Sequence, residues 1–409
     1  MITTVKGTRD ILPPDSYIWN RVEVLAAEVF QGFGYGEIRT PLMEPTELFT
    51  RSIGEDTDIV NKEMYTFLDK KGRSLTLRPE GTAPVARAYI SNSMHTLPHP
   101  LRLYYVGPMF RYERPQKGRY RQFFQIGAEL IGLEEPAADL EMLSLLVAFL
   151  SKLEFTDLSV GLNSVGCDAC RPGYRDGLRA VLVAHKDELC ADCVRRIDTN
   201  PLRVLDCKEE GCQHVKALLP PISGYLCGDC RTHLDFLLDG LKRLGVSFEI
   251  NDRLVRGLDY YTRTVFEVVS GKLGAQNAIC GGGRYNKLIS DLGGPQVPGI
   301  GFAIGQDRLI EILPEAFKAK VKSGLDYYVI PISANELLPA FDIAAKLRAR
   351  GFKVGVALEG KGPRKGLKFA STAGAEHAII LGEDEVRSGE LVIKNLATGA
   401  QEKKKLSEL

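Results

Sequence analysis

Eight of the nine cysteines fall between Cys167 and Cys230, and they come in pairs: Cys167 with Cys170, Cys190 with Cys193, Cys207 with Cys212, and Cys227 with Cys230. His214 and His233 lie near them in the sequence, and Cys280 stands alone. Repeated pairs at two-residue spacing are a zinc signature, because adjacent thiolates complete a tetrahedral shell. Eight thiols suffice for two four-cysteine structural sites. The alternatives are unbound buried thiols and redox disulfides. A second constellation lies at residues 121–130. Side chains of a strand alternate between faces. Arg121, Phe123, Gln125, Gly127 and Glu129 therefore share one face, and Phe124, Ile126, Ala128 and Leu130 form a core face. The first face sets an arginine, an aromatic, an amide and a carboxylate beside a glycine that leaves room for a ligand. Arg111 and Glu113 share a face of the preceding strand. Such a polar face is either solvated or lines a site.

These residues need elements to position them. Residues 101–113 and 121–131 read as an antiparallel hairpin joined by a basic loop, Arg114 to Tyr120. Apolar spacing predicts a helix over 15–33, a short strand over 36–41, a helix over 139–153 and a strand over 158–162. From 166 to 244 the pattern is helical and rich in cysteine, as for an insertion within a larger sheet domain. Strands at 265–269 and 299–303 and a helix from 307 to 313 follow. Beyond residue 324, strands at 327–331, 353–357 and 377–381 alternate with helices at 337–350 and 367–372, the pattern of a small α/β domain.

The chain has 409 residues, enough for two or three domains. Its 53 basic and 52 acidic residues give a net charge of +1, so any nucleic acid would be bound through local patches. One such patch is residues 346–409, with 13 bases against 8 acids. No apolar run reaches the roughly 20 residues that span a bilayer, and residues 1–10 lack the apolar core of a signal peptide. A cytoplasmic protein without membrane contact is expected. Gly355, Gly360, Lys361 and Gly362 nearly spell a P-loop, but Gly362 occupies the place of the Ser or Thr that would hold magnesium.

Phe110-Arg111-Tyr112-Glu113, the loop through Arg119 and the strand to Glu129 resemble motif 2 of class II aminoacyl-tRNA synthetases, in the form carried by histidyl-tRNA synthetases of bacterial type. Four further blocks resemble that family. Arg78-Pro79-Glu80-Gly81-Thr82 is similar to its amino-acid loop, and Leu254 to Tyr261 to its first histidine-specific motif. Gly281-Gly282-Gly283-Arg284-Tyr285 is similar to the second such motif, and Gly299 to Arg308 to motif 3. Asn286 and Lys287 stand where many members have Asp and Gly, and Asp307 where Glu is common.

The resemblance implies ligation of L-histidine to tRNA(His) at the expense of ATP, through a histidyl-adenylate, with ATP accompanied by Mg2+. It implies that Arg111 and Arg256 act on the α-phosphate and carboxylate. Arg119 and Arg308 would hold the triphosphate, with Glu113 and Phe123 at the adenine. Glu129 and Tyr261 would read the imidazole, which offers one donor and one acceptor. Glu80, Gly81, Thr82 and Gln125 would surround the amino group, with Tyr260 as a wall. Arg114 and Gln116 would meet the tRNA acceptor end. Metal does not follow from the resemblance, because many members lack these cysteines.

The expected fold is α/β (α+β). A class II antiparallel-sheet catalytic domain over 1–325, interrupted by the helical insertion at 166–244, is followed by an anticodon-binding α/β domain over 326–409. The helix and strand over 15–41 resemble motif 1, so a homodimer is expected. The competing expectation is a non-catalytic paralogue, the regulatory subunit of ATP phosphoribosyltransferase. It shares the fold, but typically lacks the anticodon domain and the catalytic arginine motif.

Overall fold

A computed structural model describes the chain except for residues 55–56, 58, 117, 157, 259, 271–277, 322–323, 360–361, 406–407 and 409. Lys117 of the basic loop, Asp259 of the first histidine-specific block, and Gly360 and Lys361 of the near P-loop lie outside the described residues. Contacts group residues 1–12 and 19–318 into one unit, and residues 13–18 and 319–409 into a second.

The first unit is built on an eight-stranded sheet. Its strands run in the spatial order Gly36–Glu37, Leu101–Phe110, Gln122–Ile131, Gly299–Gly305, Ala278–Arg284, Thr262–Ser270, Leu158–Ser164 and Phe248–Ile250. The six central strands are antiparallel, and the short strand at each edge is parallel to its neighbour. The hairpin forms where expected, with Phe110 opposite Gln122. Its first strand ends at Phe110, so Arg111 and Glu113 leave the sheet and enter the cavity as loop residues. The expected strand over 36–41 is only two residues long.

The helix Asp15–Gly32 buries Trp19, Val22, Leu25, Ala26 and Phe30, a spacing that puts them on one helical stripe. Phe30 meets Tyr104, Phe149 and Phe302 edge-on, which ties this helix to two strands and to the helix Ala137–Lys152. The insertion carries helices Arg171–Ala184, Ala191–Thr199, Glu210–Leu218 and Gly228–Arg243. Its buried Tyr174, Leu178, Ile197 and Val215 join the same apolar cluster as Val265 and Tyr285 of the sheet region.

A buried ionic group fastens the last insertion helix to the sheet. Arg284 and Asp139 are both fully buried and paired, and His233 Nε2 lies 3.2 Å from Asp139 Oδ1. Arg284 also donates to the carbonyls of Leu133 and Glu135. Burial alone would raise Asp139, but His233 and Arg284 hold it below its usual value. Arg284, in the second glycine-rich block, is thus a buried tie and does not line the cavity.

The second unit holds a five-stranded sheet in the order Val354–Val356, Tyr327–Pro331, His377–Leu381, Glu390–Asn395 and Gln401–Lys405. The first three strands are parallel and the last two antiparallel. The edge strand is largely lysine, a composition that discourages edge pairing. Counted over 326–409, Asp326, Glu336 and Asp342 add three acids and no base, so the balance is 13 to 11. The +5 over 346–409 is a regional bias within a nearly neutral unit. No described helix is long and apolar enough to cross a membrane.

Candidate active site

One face of the central sheet opens into a cavity of about 270 Å³. Glu80, Thr82, Arg111, Glu113, Arg119, Phe123, Gln125, Arg256, Tyr260, Tyr261 and Arg308 all line it, drawn from sequence blocks more than 200 residues apart. The odd-numbered face of Gln122–Ile131 supplies Phe123 and Gln125, as alternation predicts. Arg121 departs from that face. Its guanidinium lies over the Tyr112 ring, and Nε donates to the Glu113 carbonyl.

The room beside Gly127 is taken by protein. Tyr105 is the cross-strand neighbour of Gly127, and a methyl group at either Gly127 or Gly81 would overlap its ring. The two glycines thus accommodate a tyrosine, and a register between strands decides it. Gly81 therefore shapes the loop rather than facing the cavity.

Glu80 caps the helix Thr82–Ser91. Its carboxylate accepts the amide N–H groups of Thr82 at 2.6 Å and Ala83 at 2.8 Å. Burial pushes the Glu80 carboxyl up, and those amides pull it back. Glu129 lies under the floor, fully buried. Thr82 Oγ1 donates to its Oε1 at 2.7 Å and the Tyr285 hydroxyl to its Oε2 at 2.6 Å. Burial raises Glu129 to about 8 even with both donors in place. Gly301 is its cross-strand neighbour, where a methyl would overlap the carboxylate. Tyr261 is pushed up to about 12 by burial, and the Arg256 charge partly opposes this, so it stays a neutral phenol at physiological pH.

The arginines are anchored at one end. Arg111 Nε donates to the Pro79 carbonyl at 2.9 Å, and its guanidinium sits 5.3 Å from the Phe123 ring centre. Arg256 Nη1 donates to Glu267 at 3.1 Å across Gly281, where any side chain would displace it. Arg119 pairs with Glu113 at 3.0 Å. Arg308 donates to the carbonyls of Gly118 and Ala278. Burial first, and then Arg119, lower its basicity. Four guanidinium groups around one cavity make a site for a polyanion. Arg114 and Gln116 lie outside it, exposed on the loop, where Gln116 and Arg119 exchange backbone hydrogen bonds around Gly118.

Three contributors escaped the reading of single blocks. Tyr285 donates to Glu129, and Glu267 holds Arg256. Asp307 accepts from Arg9 Nη2 at 2.8 Å and from the Phe124 amide at 2.9 Å, tying the N-terminal segment to the strand. Alternation along Thr262–Ser270 places Glu267 and Val265 on one face, a signal available in the sequence. The contacts of Tyr285 and Asp307 depend on tertiary pairing.

The eight paired cysteines gather into two sets. Cys167, Cys170, Cys227 and Cys230 form one, and Cys190, Cys193, Cys207 and Cys212 the other. Cys280 lies on the cavity wall, its thiol pushed up by burial.

An antiparallel sheet with arginines and a buried carboxylate around one cavity is the arrangement of a class II aminoacyl-tRNA synthetase catalytic domain. A family model for histidyl-tRNA synthetase matches residues 7–309, and one for an anticodon binding domain matches 326–409. The chain is 49% identical to a histidine–tRNA ligase of Koribacter versatilis, covering 100% of this chain and 95% of that one. It is 47% identical to one of Desulfosudis oleivorans, covering 100% and 97%. The crystal structure of apo S. aureus histidyl-tRNA synthetase superimposes with a TM-score of 0.83 at 35% identity, over 100% of this chain and 98% of that chain. The chain belongs to the histidyl-tRNA synthetase family.

Proposed function

We propose that this protein ligates L-histidine to tRNA(His) in the cytoplasm. The histidine carboxylate attacks the α-phosphate of ATP, the bond to pyrophosphate breaks, and the 3′-terminal ribose hydroxyl of the tRNA then takes the histidyl group and releases AMP. The observation that carries this reading is the convergence of Arg111, Arg119, Arg256 and Arg308 on the cavity that Glu80, Gln125 and Tyr261 also line.

Arg111 and Arg256 neutralise charge at the α-phosphate from two sides, and Arg119 and Arg308 hold the tail. Phe123 offers a face for the adenine, with Glu113 beside it. Tyr261 and Glu129 read the two imidazole nitrogens. Each Glu129 oxygen keeps a lone pair beyond the one its hydroxyl donor uses. Glu80, Thr82 and Gln125 surround the amino group, Gly81 turns the chain there, and Tyr260 closes the wall. The cavity carboxylates already have partners: Glu113 has Arg119, Asp307 has Arg9, and Glu80 has two amides. Magnesium would accordingly be held chiefly by the phosphates of ATP, whose charge it neutralises.

Residues 326–409 would bind the anticodon, and Arg114 and Gln116 the acceptor end. Two copies would pair through the segment 15–41, where Val24 and Phe33 are exposed apolar residues. The regulatory-subunit reading is disfavoured by Arg256 and by the anticodon-binding match. Histidine-dependent ATP–pyrophosphate exchange followed by tRNA charging tests the proposal, and failure of the purified protein in both steps overturns it. Glu129→Ala is expected to damage exchange far more than ATP binding. Near wild-type exchange would remove Glu129 from the ring-reading role.

A further inference from the structure

The cysteine sets have the dimensions of metal sites. Within each set, all four sulfurs lie within 4.8 Å of one another. Cys167 and Cys170 are 3.8 Å apart, Cys167 and Cys227 3.8 Å, and Cys190 and Cys207 3.9 Å. A disulfide requires about 2.05 Å, and all nine cysteines are free. Four thiolates about 2.3 Å from a zinc ion stand about 3.8 Å apart along the edges of their tetrahedron. That edge is too short for a cubane cluster, which places several iron atoms between its sulfurs. The Cys227 amide donates to Cys170 Sγ at 3.1 Å and the Cys190 amide to Cys212 Sγ at 3.2 Å, the kind of outer support that favours a bound thiolate.

The sets also flank one segment of the active site. Arg171, directly after Cys170, donates to the carbonyl of Tyr261. Gly166, directly before Cys167, accepts from the Arg263 amide at 2.9 Å and from Thr262 Oγ1 at 3.2 Å. Arg203 lies on the turn Pro201–Asp206 that runs into Cys207, and it donates to the carbonyl of Gly257 at 2.8 Å. Each set therefore stands beside an arginine that grips the segment carrying Arg256, Tyr260 and Tyr261. The supporting helices Ala191–Thr199 and Glu210–Leu218 have nine residues each, below the roughly 12 to 15 at which an isolated helix becomes even marginally stable. Each buries one aliphatic residue and one cysteine, Ile197 with Cys193 and Val215 with Cys212, so half of what anchors them is thiol.

We propose that the insertion binds two structural zinc ions, an outer one at Cys167, Cys170, Cys227 and Cys230 and an inner one at Cys190, Cys193, Cys207 and Cys212, and that these centres make Arg171 and Arg203 positioning residues for the active-site segment. Each site takes up one Zn2+ and releases its four thiol protons. The zinc count is independent of the enzymatic reading, whereas the positioning half rests on it.

Full-length protein purified without added zinc or chelator is analysed by plasma mass spectrometry alongside native thiol titration. Two zinc ions per chain with the eight paired thiols protected is the expected result. One zinc or none, iron in its place, or disulfides among these cysteines overturns the proposal. The double variants C167S/C170S and C190S/C193S should each retain one zinc. If either fails to fold, the wild-type stoichiometry still decides. Arg171→Ala should raise the KM for histidine about tenfold and leave the KM for ATP unchanged. Parallel changes in both KM values, or a fall in kcat alone with both KM values unchanged as partial unfolding would give, overturn the positioning half. Absence of exchange in the wild type sinks the enzymatic reading and the positioning half with it, while the zinc count stands or falls alone.

Discussion

Beneath the cavity, Glu129 is held by a hydroxyl from the start of one helix and by that of Tyr285, just past the end of a strand and 156 residues away in sequence. In the insertion, each cysteine set is drawn from two short stretches of chain, between helices that also share buried apolar residues such as Tyr174, Leu178, Ile197 and Val215. The cavity groups are fixed because a sheet of long strands fixes their register: Glu129 opposes Gly301 on one side and Leu103 on the other. The insertion has no sheet, and two of its four helices, Ala191–Thr199 and Glu210–Leu218, have only nine residues, so local chemistry can do there what register does elsewhere. Where a sheet supplies the frame, polar groups can be buried singly with dispersed partners. Where it is missing, ligating side chains cluster by sequence spacing.

The largest expected effect breaks the tie between the two regions. Asp139→Ala leaves Arg284 buried with only carbonyl acceptors and removes the carboxylate beside His233 Nε2, leaving His233 its contact with Arg263. Loss of one member of a buried pair costs about 3–5 kcal/mol, measurable as a fall in the denaturation midpoint. Asp139→Asn, which keeps the shape and one acceptor, should cost less. A loss below about 1 kcal/mol for the alanine variant would mean that the apolar cluster and the contacts of Arg171 and Arg203, rather than this ionic group, hold the insertion in place. Next comes the cavity itself. Arg256→Ala should lower kcat for pyrophosphate exchange by about 10² to 10³ while leaving the melting temperature nearly unchanged, because Arg256 is partly exposed and faces a cavity. Equal loss of stability would reassign it to the frame.

How much of this was legible beforehand follows the same division. The alternation from Phe123 to Leu130 and the cysteine pairs were readable because their signals are local, a period of two and spacings of three or five. The partners of Glu129 were not, since Thr82 and Tyr285 reach it only through the fold. The space beside Gly127 was misread for a related reason: which ring fills a glycine depends on cross-strand register, and Tyr105 lies 22 positions earlier. The small sheet of Met43–Pro45, Tyr65–Leu68 and Ser74–Leu77 escaped because strands of three or four residues carry almost no periodicity. The edge strand Gln401–Lys405 escaped because it has no apolar residue at all.

A smaller effect tests the burial of Glu129. Its carboxyl is raised from an ordinary value of 4.5 to about 8 in the folded protein, so between those limits the folded state binds more protons than the unfolded state. The stability contributed by the protonated form is fully present below about pH 4.5 and is lost as the pH rises through 8. Glu129→Gln removes this titration. The stability of the wild type relative to Glu129→Gln should therefore fall across that window and stay flat above it, as chemical denaturation at several pH values would measure. A flat difference throughout would mean that Glu129 is ionised in the folded state at all these pH values.

The smallest effect comes from the insertion's surface and isolates what burial contributes. Arg179 and Asp198 pair between two insertion helices, but both side chains are more than half exposed. Water screens such a pair, and holding two side chains in one geometry costs entropy, so its coupling is about 0.2–1 kcal/mol. A double-mutant cycle of Arg179→Ala and Asp198→Ala, read by denaturation, should give a coupling in that range that shrinks further at high salt. Arg284 and Asp139 use the same chemical groups at zero exposure, so the gap between the two measurements is the effect of environment on one kind of pair. A coupling above about 2 kcal/mol at the exposed site would show that the insertion helices depend on this ion pair, and would weaken the case that cysteine-bound metal is what orders them.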